Sequence, residues 1–82
     1  MNMTPNNPLP RNPYRYRTKM RQIYAIMQDG QFHMLSEFVP IVKGIYSPNT
    51  PANRRTAGSF MRTLRDKFTV DHSSRLGYKI AG

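Results

Sequence analysis

The chain has no cysteine among its 82 residues. That excludes disulfide staples and thiolate metal sites, so a domain this small must hold itself by packing or self-association. It is also compatible with a cytoplasmic home. Acids are scarce, with 4 Asp+Glu against 13 Lys+Arg, a formal net charge of +9. A field that strong favours a polyanionic partner, nucleic acid before an anionic membrane surface. No acid precedes Asp29, whereas Arg11, Arg15, Arg17, Lys19 and Arg21 all do. No apolar run approaches the roughly 18 residues of a membrane span, and the opening MNMTPNNPLP lacks the apolar centre of a signal peptide. The expectation is a soluble protein, not membrane-bound, acting in the cytoplasm where it is made.

Catalytic signatures are missing too. There is no HExxH, no P-loop and no glycine-rich nucleotide turn. His72 lies beside Asp71, Ser73 and Ser74, but neighbours in one loop do not converge as a triad must. Two histidines and four scattered acids supply too few ligands for a metal. The expectation is a protein that is not an enzyme, with no metal and no cofactor. Nothing repeats internally.

Residues 1–13 hold four prolines and four asparagines and can bury little, so residues 1–15 read as a disordered, basic arm. Such an arm is either an inert tail or a DNA contact. Tyr14, Arg15, Tyr16 and Arg17 alternate aromatic and cationic groups, which can follow a minor groove or a phosphate backbone. A first helix is predicted from Thr18 to Gln28. Met20, Ile23, Tyr24 and Met27 recur at helical spacing as core, with Tyr16 extending that face if the helix starts early. Thr18 caps the helix, and Asp29 with left-handed Gly30 stops it. Residues 31–33 form a brief extended segment containing a partly covered His33. A second helix begins near Leu35, with Leu35, Phe38, Val39 and Val42 sharing a face, and is short or kinked because of Pro40. Residues 43–49 are turn-rich, with Ile45 and Tyr46 tucked under the loop.

Residues 50–67, TPANRRTAGSFMRTLRDK, carry the clearest pattern. Thr50 can cap, and Pro51 suits the first helical position. Asn53, Ala57, Phe60, Met61 and Leu64 share one narrow arc for a core. Arg55, Ser59, Arg62 and Asp66 lie opposite, with Arg54, Gly58 and Arg65 on a flank. Arginines and small residues on one face are what a helix needs to read a major groove; a solvated basic face is the plainer alternative. Arg62 and Asp66, at i and i+4, can instead pair on the surface. Phe68 and Val70, then Tyr78 and Ile80, alternate with polar residues around a glycine-ending loop at 72–77, which reads as a β-hairpin.

In order, helix, short strand, helix, helix and hairpin resemble a winged helix-turn-helix DNA-binding domain. The segment IYAIMQDGQFHMLSEF at 23–38 resembles its first helix, glycine turn, first strand and second helix. FMRTLRDKF at 60–68 resembles the end of its recognition helix, and RLGYKI at 75–80 its wing strand. The resemblance implies an α+β winged helix over residues 16–82: three helices, a short first strand and a C-terminal hairpin wing, behind the flexible N-terminal arm. It also implies that residues 51–66 enter the major groove of double-stranded DNA. Asn53, Arg55, Thr56 and Ser59 then become candidate base readers. Arg54, Arg62, Arg75 and Lys79 become candidate phosphate contacts, with Arg15 and Arg17 on the arm. Asn53 also lies near the apolar arc, where it could serve as a cap or loop partner. Pro40, Met34 in place of a capping hydroxyl, and a long link before the third helix all depart from the family pattern.

The expected activity is a transcriptional or recombination accessory regulator, monomeric or weakly dimeric. The size and tail suggest a bacteriophage or mobile-element protein, acting in the host cytoplasm if so. A different class remains open: a phage-type interaction module or inhibitor gripping an acidic host protein, through the apolar Ile45, Tyr46 and Leu76. RNA or ribosome binding is permitted by the same charge.

Overall fold

Two threonine hydroxyls set where the longer helices begin. In the computed structural model, which describes residues 9–81, Thr18 Oγ1 accepts the Arg21 N–H and Thr50 Oγ1 accepts the Asn53 N–H, each at 3.1 Å. Each thereby takes an N–H that the first helical turn leaves unpaired. The helices are α1 (Lys19–Met27), α2 (Val39–Lys43) and α3 (Pro51–Arg65). Gly30, at φ 74°, ends α1 as expected, and its N–H donates to Met27 O at 3.1 Å.

The second helix is not continuous from Leu35. The chain makes one 3-10 turn, Leu35–Glu37, passes through Phe38, and only then enters α2. The split answers the proline problem. Pro40 falls in the first turn of α2, where its missing N–H would have no helical partner anyway. Met34 lacks a capping oxygen, but the Glu37 carboxylate accepts the Met34 N–H at 2.9 Å, which is half of a capping box.

Strands β1 (Val70–Ser73) and β2 (Gly77–Ile80) form an antiparallel hairpin, with Val70 opposite Ile80 and His72 opposite Tyr78. The first strand is displaced by two residues from the sequence pattern, starting at Val70 rather than Phe68 and reaching Ser73, and the second starts one residue earlier, at Gly77, because Ser73 organises the turn. Its Oγ accepts the N–H of Arg75 at 3.3 Å and of Leu76 at 3.1 Å. The expected first strand is a single bridge. The His33 N–H donates to Tyr78 O at 2.7 Å and the Tyr78 N–H to His33 O at 2.8 Å.

The result over the described residues is α+β, three helices and one hairpin around a common core. Ile23, Tyr24 and Met27 of α1, Phe38 with Val39 and Val42, Ala57, Met61 and Leu64 of α3, and Ile80 of β2 are all buried. Each large side chain among them contributes roughly 1.5–3 kcal/mol of transfer free energy. Among the described residues no helix is long and apolar enough to cross a membrane.

Three expectations are corrected. Ile45 and Tyr46 are not tucked under their loop but stand 74% and 95% exposed. That turn closes on its own polar groups, with the Ser47 N–H on Gly44 O and Ser47 Oγ on Lys43 O, both at 3.0 Å, so it needs no apolar filler. Tyr16 does not extend the buried face of α1. The helix starts at Lys19, and the Tyr16 ring lies outside it, 78% exposed. The arm expected over 1–15 is fastened down where it is described. Tyr24 Oη donates to Pro10 O at 2.7 Å, Gln28 Nε2 to the same carbonyl at 3.0 Å, and Asn12 Nδ2 to Arg21 O at 2.8 Å. Leu9 and Tyr14 pack against the core. The remainder of that arm, residues 1–8, lies outside the described residues.

Candidate nucleic-acid interface

Helix α3 turns Ala57, Met61 and Leu64 inward and leaves Arg55, Ser59, Arg62 and Arg65 exposed. Gly58 sits between these faces. An added Cβ there would lie 3.6 Å from Leu35 Cδ1, an ordinary van der Waals contact, so the 3-10 turn packs against the helix at this point. The outward face borders an open cleft of about 500 Å³, with Arg55, Ser59, Arg62 and Arg65 along one wall and Leu35 and Tyr78 along the other. Tyr78 also lines a neighbouring groove of about 420 Å³, with Arg54, Asn49, Met34 and His72. With Leu35, which also lines both, it forms the ridge between the two. Its ring stacks on that of His72 at 4.4 Å, 18° from parallel, a cross-strand pair that stiffens the projecting end of the hairpin.

The expected contact residues divide into two groups. Asn53 resolves as a loop partner, its Nδ2 donating to Pro48 O at 2.8 Å. Arg54 is also drawn back, with NH1 donating to Asn49 O at 2.7 Å and Asn49 Oδ1 at 3.0 Å. Together they lock the long link between α2 and α3. Thr56 donates to Ala52 O at 3.3 Å and Ser59 to Thr56 O at 2.6 Å; both oxygens keep accepting capacity. Arg55 and Arg62 have no hydrogen-bond or carboxylate partner among the described residues, and the Arg62–Asp66 pair is not formed. Arg65, outside the expected set, joins them.

Arg75 sits in the exposed hairpin turn, and Lys79 Nζ lies 5.1 Å above the Phe32 ring. Neither lines the α3 cleft, and neither do Arg15 and Arg17, which precede α1. The cleft thus gathers Arg55, Ser59 and Arg62 and leaves the other candidates elsewhere.

One constellation escaped the sequence reading. His33, only 14% exposed, is clamped between Asp29 and Glu37. Its Nε2 faces both Asp29 oxygens at 3.0 Å, and its Nδ1 faces Glu37 Oε1 at 2.7 Å. The acids approach opposite edges of the ring, so the three groups share no point where a cation could sit. The 29–33–37 spacing was available in the sequence, but Gly30 breaks the helix that would have made it legible. Burial opposes the His33 charge, yet hydrogen bonds to Glu37 and Asp29 outweigh it and raise the imidazole above its usual value of 6.5. Burial likewise opposes the Asp29 charge, but the Gln31 N–H and His33 hold its carboxyl below 3.8.

The pH dependence follows. A raised histidine stabilises the fold fully below its unfolded value and loses that contribution as pH climbs through the folded one. A lowered aspartate does the reverse, losing its contribution as pH falls through its folded value. The clamp is strongest near about pH 5, between the two unfolded values. Its carboxylates are half exposed, so it is worth about 1 kcal/mol. His33→Gln should therefore lower Tm by roughly 4–8 °C near that pH, and by clearly less in alkaline buffer. Equal losses in thermal melts at both pH values would show that the charge plays no part.

Comparison with protein-family models, curated proteins and solved structures finds no match. What the cleft does is read from its own geometry.

Proposed function

We propose that this chain is a small DNA-binding protein of the winged-helix type, with α3 as recognition helix and the β1–β2 hairpin as wing. The observation that carries the reading is the outward face of α3. Arg55, Arg62 and Arg65, unpaired among the described residues, border an open cleft in a chain of net charge +9. Cations that a fold leaves without internal acids are available to phosphates and base edges. Arg55 and Ser59 serve as base readers near the leading half of α3, while Arg62 and Arg65 contact phosphate. Arg75 and Lys79 follow the backbone from the wing. Asn53 and Arg54 act indirectly by fixing the loop that presents α3. The protein would act in the cytoplasm by occupancy or bending of DNA, as a transcriptional or recombination accessory factor, without catalysis.

Selection from a random duplex library at two salt concentrations tests this reading. The wild type should enrich a motif. Arg55→Ala should blur it, costing about 1–3 kcal/mol of discrimination at one position. Arg62→Ala should weaken all sequences evenly and lower the salt slope by about one. No enrichment, with both variants indistinguishable from wild type, would overturn the recognition-helix role.

The exposure of Ile45 and Tyr46 favours a second reading, a module that grips an acidic protein. Those residues lie on the loop after α2 and Leu76 lies in the hairpin turn. The same selection discriminates between the readings, since a module that grips an acidic protein enriches no motif, whereas a DNA reader enriches one that Tyr46→Ala leaves unchanged.

A further inference from the structure

The turn leading into α1 builds a second cationic surface with a different chemistry. Tyr16 is 78% exposed, and the Arg21 guanidinium covers one face of its ring, 3.9 Å from the centroid. Arg21 is held in place, its NH1 donating to Tyr14 O at 2.9 Å and its carbonyl accepting Asn12 Nδ2 at 2.8 Å. Arg11, Asn12 and Gln28 complete an open cleft of about 490 Å³ around this pair. It shares no lining residue with the α3 cleft. The backbone is bent to make it. Arg17 takes φ 65°, costly for a residue with a Cβ, and the Thr18 hydroxyl donates to Arg15 O at 2.8 Å across that bend.

Cation–π pairs form at exposed as well as buried sites, so what marks this one is its surroundings. Here the ring keeps one broad face in water, inside a segment that holds five cations and no acid. A flat apolar face in a positive field matches a planar group joined to an anionic linker. Paired bases in a duplex are stacked on one another and offer no face to a side chain, whereas unpaired ones do. We propose that Tyr16, stacked on Arg21 and flanked by Arg11, is a platform for an unpaired nucleotide of a single-stranded nucleic acid. The base lies on the open face of Tyr16 and an adjoining phosphate on Arg11, while Arg15 and Arg17 add to the field. The platform does not depend on what α3 binds.

The test uses the full chain, a fluorescent oligothymidylate of about ten nucleotides, and a labelled duplex, both followed by anisotropy in low salt. Wild type should bind the oligothymidylate. Tyr16→Ala should weaken it roughly five- to hundredfold, while Tyr16→Phe keeps it. Arg11→Ala should weaken it less and lower its salt slope by about one. Arg62→Ala should leave oligothymidylate binding intact while weakening the duplex, so the two surfaces succeed or fail separately. The proposal is overturned if the wild type does not bind the single strand, or if Tyr16→Ala binds it as tightly. It is equally overturned if Arg62→Ala loses the single strand as Tyr16→Ala does, which would place that strand on α3. Because Tyr16 is exposed, Tyr16→Ala should melt as the wild type does, and the Arg11 variant gives an independent reading.

Discussion

Gly77→Ala is expected to detach the hairpin from the helices and to lower Tm by well over about 10 °C. Gly77 is buried at φ 102°, a conformation that costs a residue with a Cβ about 1–2 kcal/mol. Space is the larger obstacle. A Cβ on Gly77 would overlap the His33 carbonyl and come within 2.8 Å of Met34 Cα. Both are backbone atoms, which no rotamer change can move aside. Either β2 shifts, or the segment carrying His33 does, and the two His33–Tyr78 hydrogen bonds are strained or lost. At about 1 kcal/mol each, the sum is about 3–4 kcal/mol. At roughly 4–8 °C per kcal/mol for a domain of this size, that is a large fraction of its range. Gly30→Ala is the control. Gly30 also has positive φ, at 74°, but nothing lies within 4 Å of a Cβ built there, so only the backbone cost of about 1–2 kcal/mol applies. Thermal melts of both variants, with amide exchange at Tyr78, decide the matter. If they melt alike and the Tyr78 amide stays protected, steric docking of β2 on His33 is not what seats the hairpin. Since Tyr78 walls the α3 cleft, Gly77→Ala should also weaken binding there without altering any cationic residue.

Features that depend on neighbours in sequence were readable in advance. Thr18 and Thr50 cap, Gly30 terminates, and Ala57, Met61 and Leu64 go inward because caps, stops and helical periodicity are local. The outward set of Arg55, Ser59 and Arg62 follows from the same periodicity. What was missed depended on backbone acceptors that the folded loops bring into place, which leave no mark in a sequence. The Pro10 carbonyl captures Tyr24, 14 residues on, turning the described part of a free arm into a packed segment; the Pro48 and Asn49 carbonyls hold Asn53 in the loop-partner role left open for it and draw Arg54 back to the loop. Ile45 and Tyr46 failed for another reason. Apolar character argues for burial on average, but a turn closed by Ser47 had no vacancy to fill. The tie at Asn53 still shapes the cleft, because a loop held at Pro48 and Asn49 fixes where α3 begins and hence how far Arg55 reaches.

Tyr24→Ala is expected to be the most damaging side-chain truncation. Tyr24 is fully buried. Its ring stacks on Phe68 at 4.9 Å and meets the edge of Tyr14 at 6.0 Å, so it joins α1 to the segment after α3 and to the chain before α1. Truncating a buried aromatic costs about 3–5 kcal/mol, against a total stability of roughly 4–12 kcal/mol for 82 residues. Urea unfolding of Tyr24→Ala should show a much lower midpoint or no folded baseline. Tyr24→Phe separates packing from the hydroxyl. It removes only the bond to Pro10 O, a carbonyl that Gln28 still reaches, and should cost about 1 kcal/mol. The wild type and Tyr24→Phe also differ in alkali. Burial first, then Tyr14 beside it, raise the Tyr24 phenol above 10.0, so its folded form resists ionisation. That contribution is full below the unfolded value and is lost as pH climbs past it. The wild type should therefore lose stability more steeply above about pH 10 than Tyr24→Phe does. If Tyr24→Ala unfolds within about 1 kcal/mol of the wild type, the aromatic cluster contributes far less than its burial implies, and the segment before α1 is held by its polar ties alone.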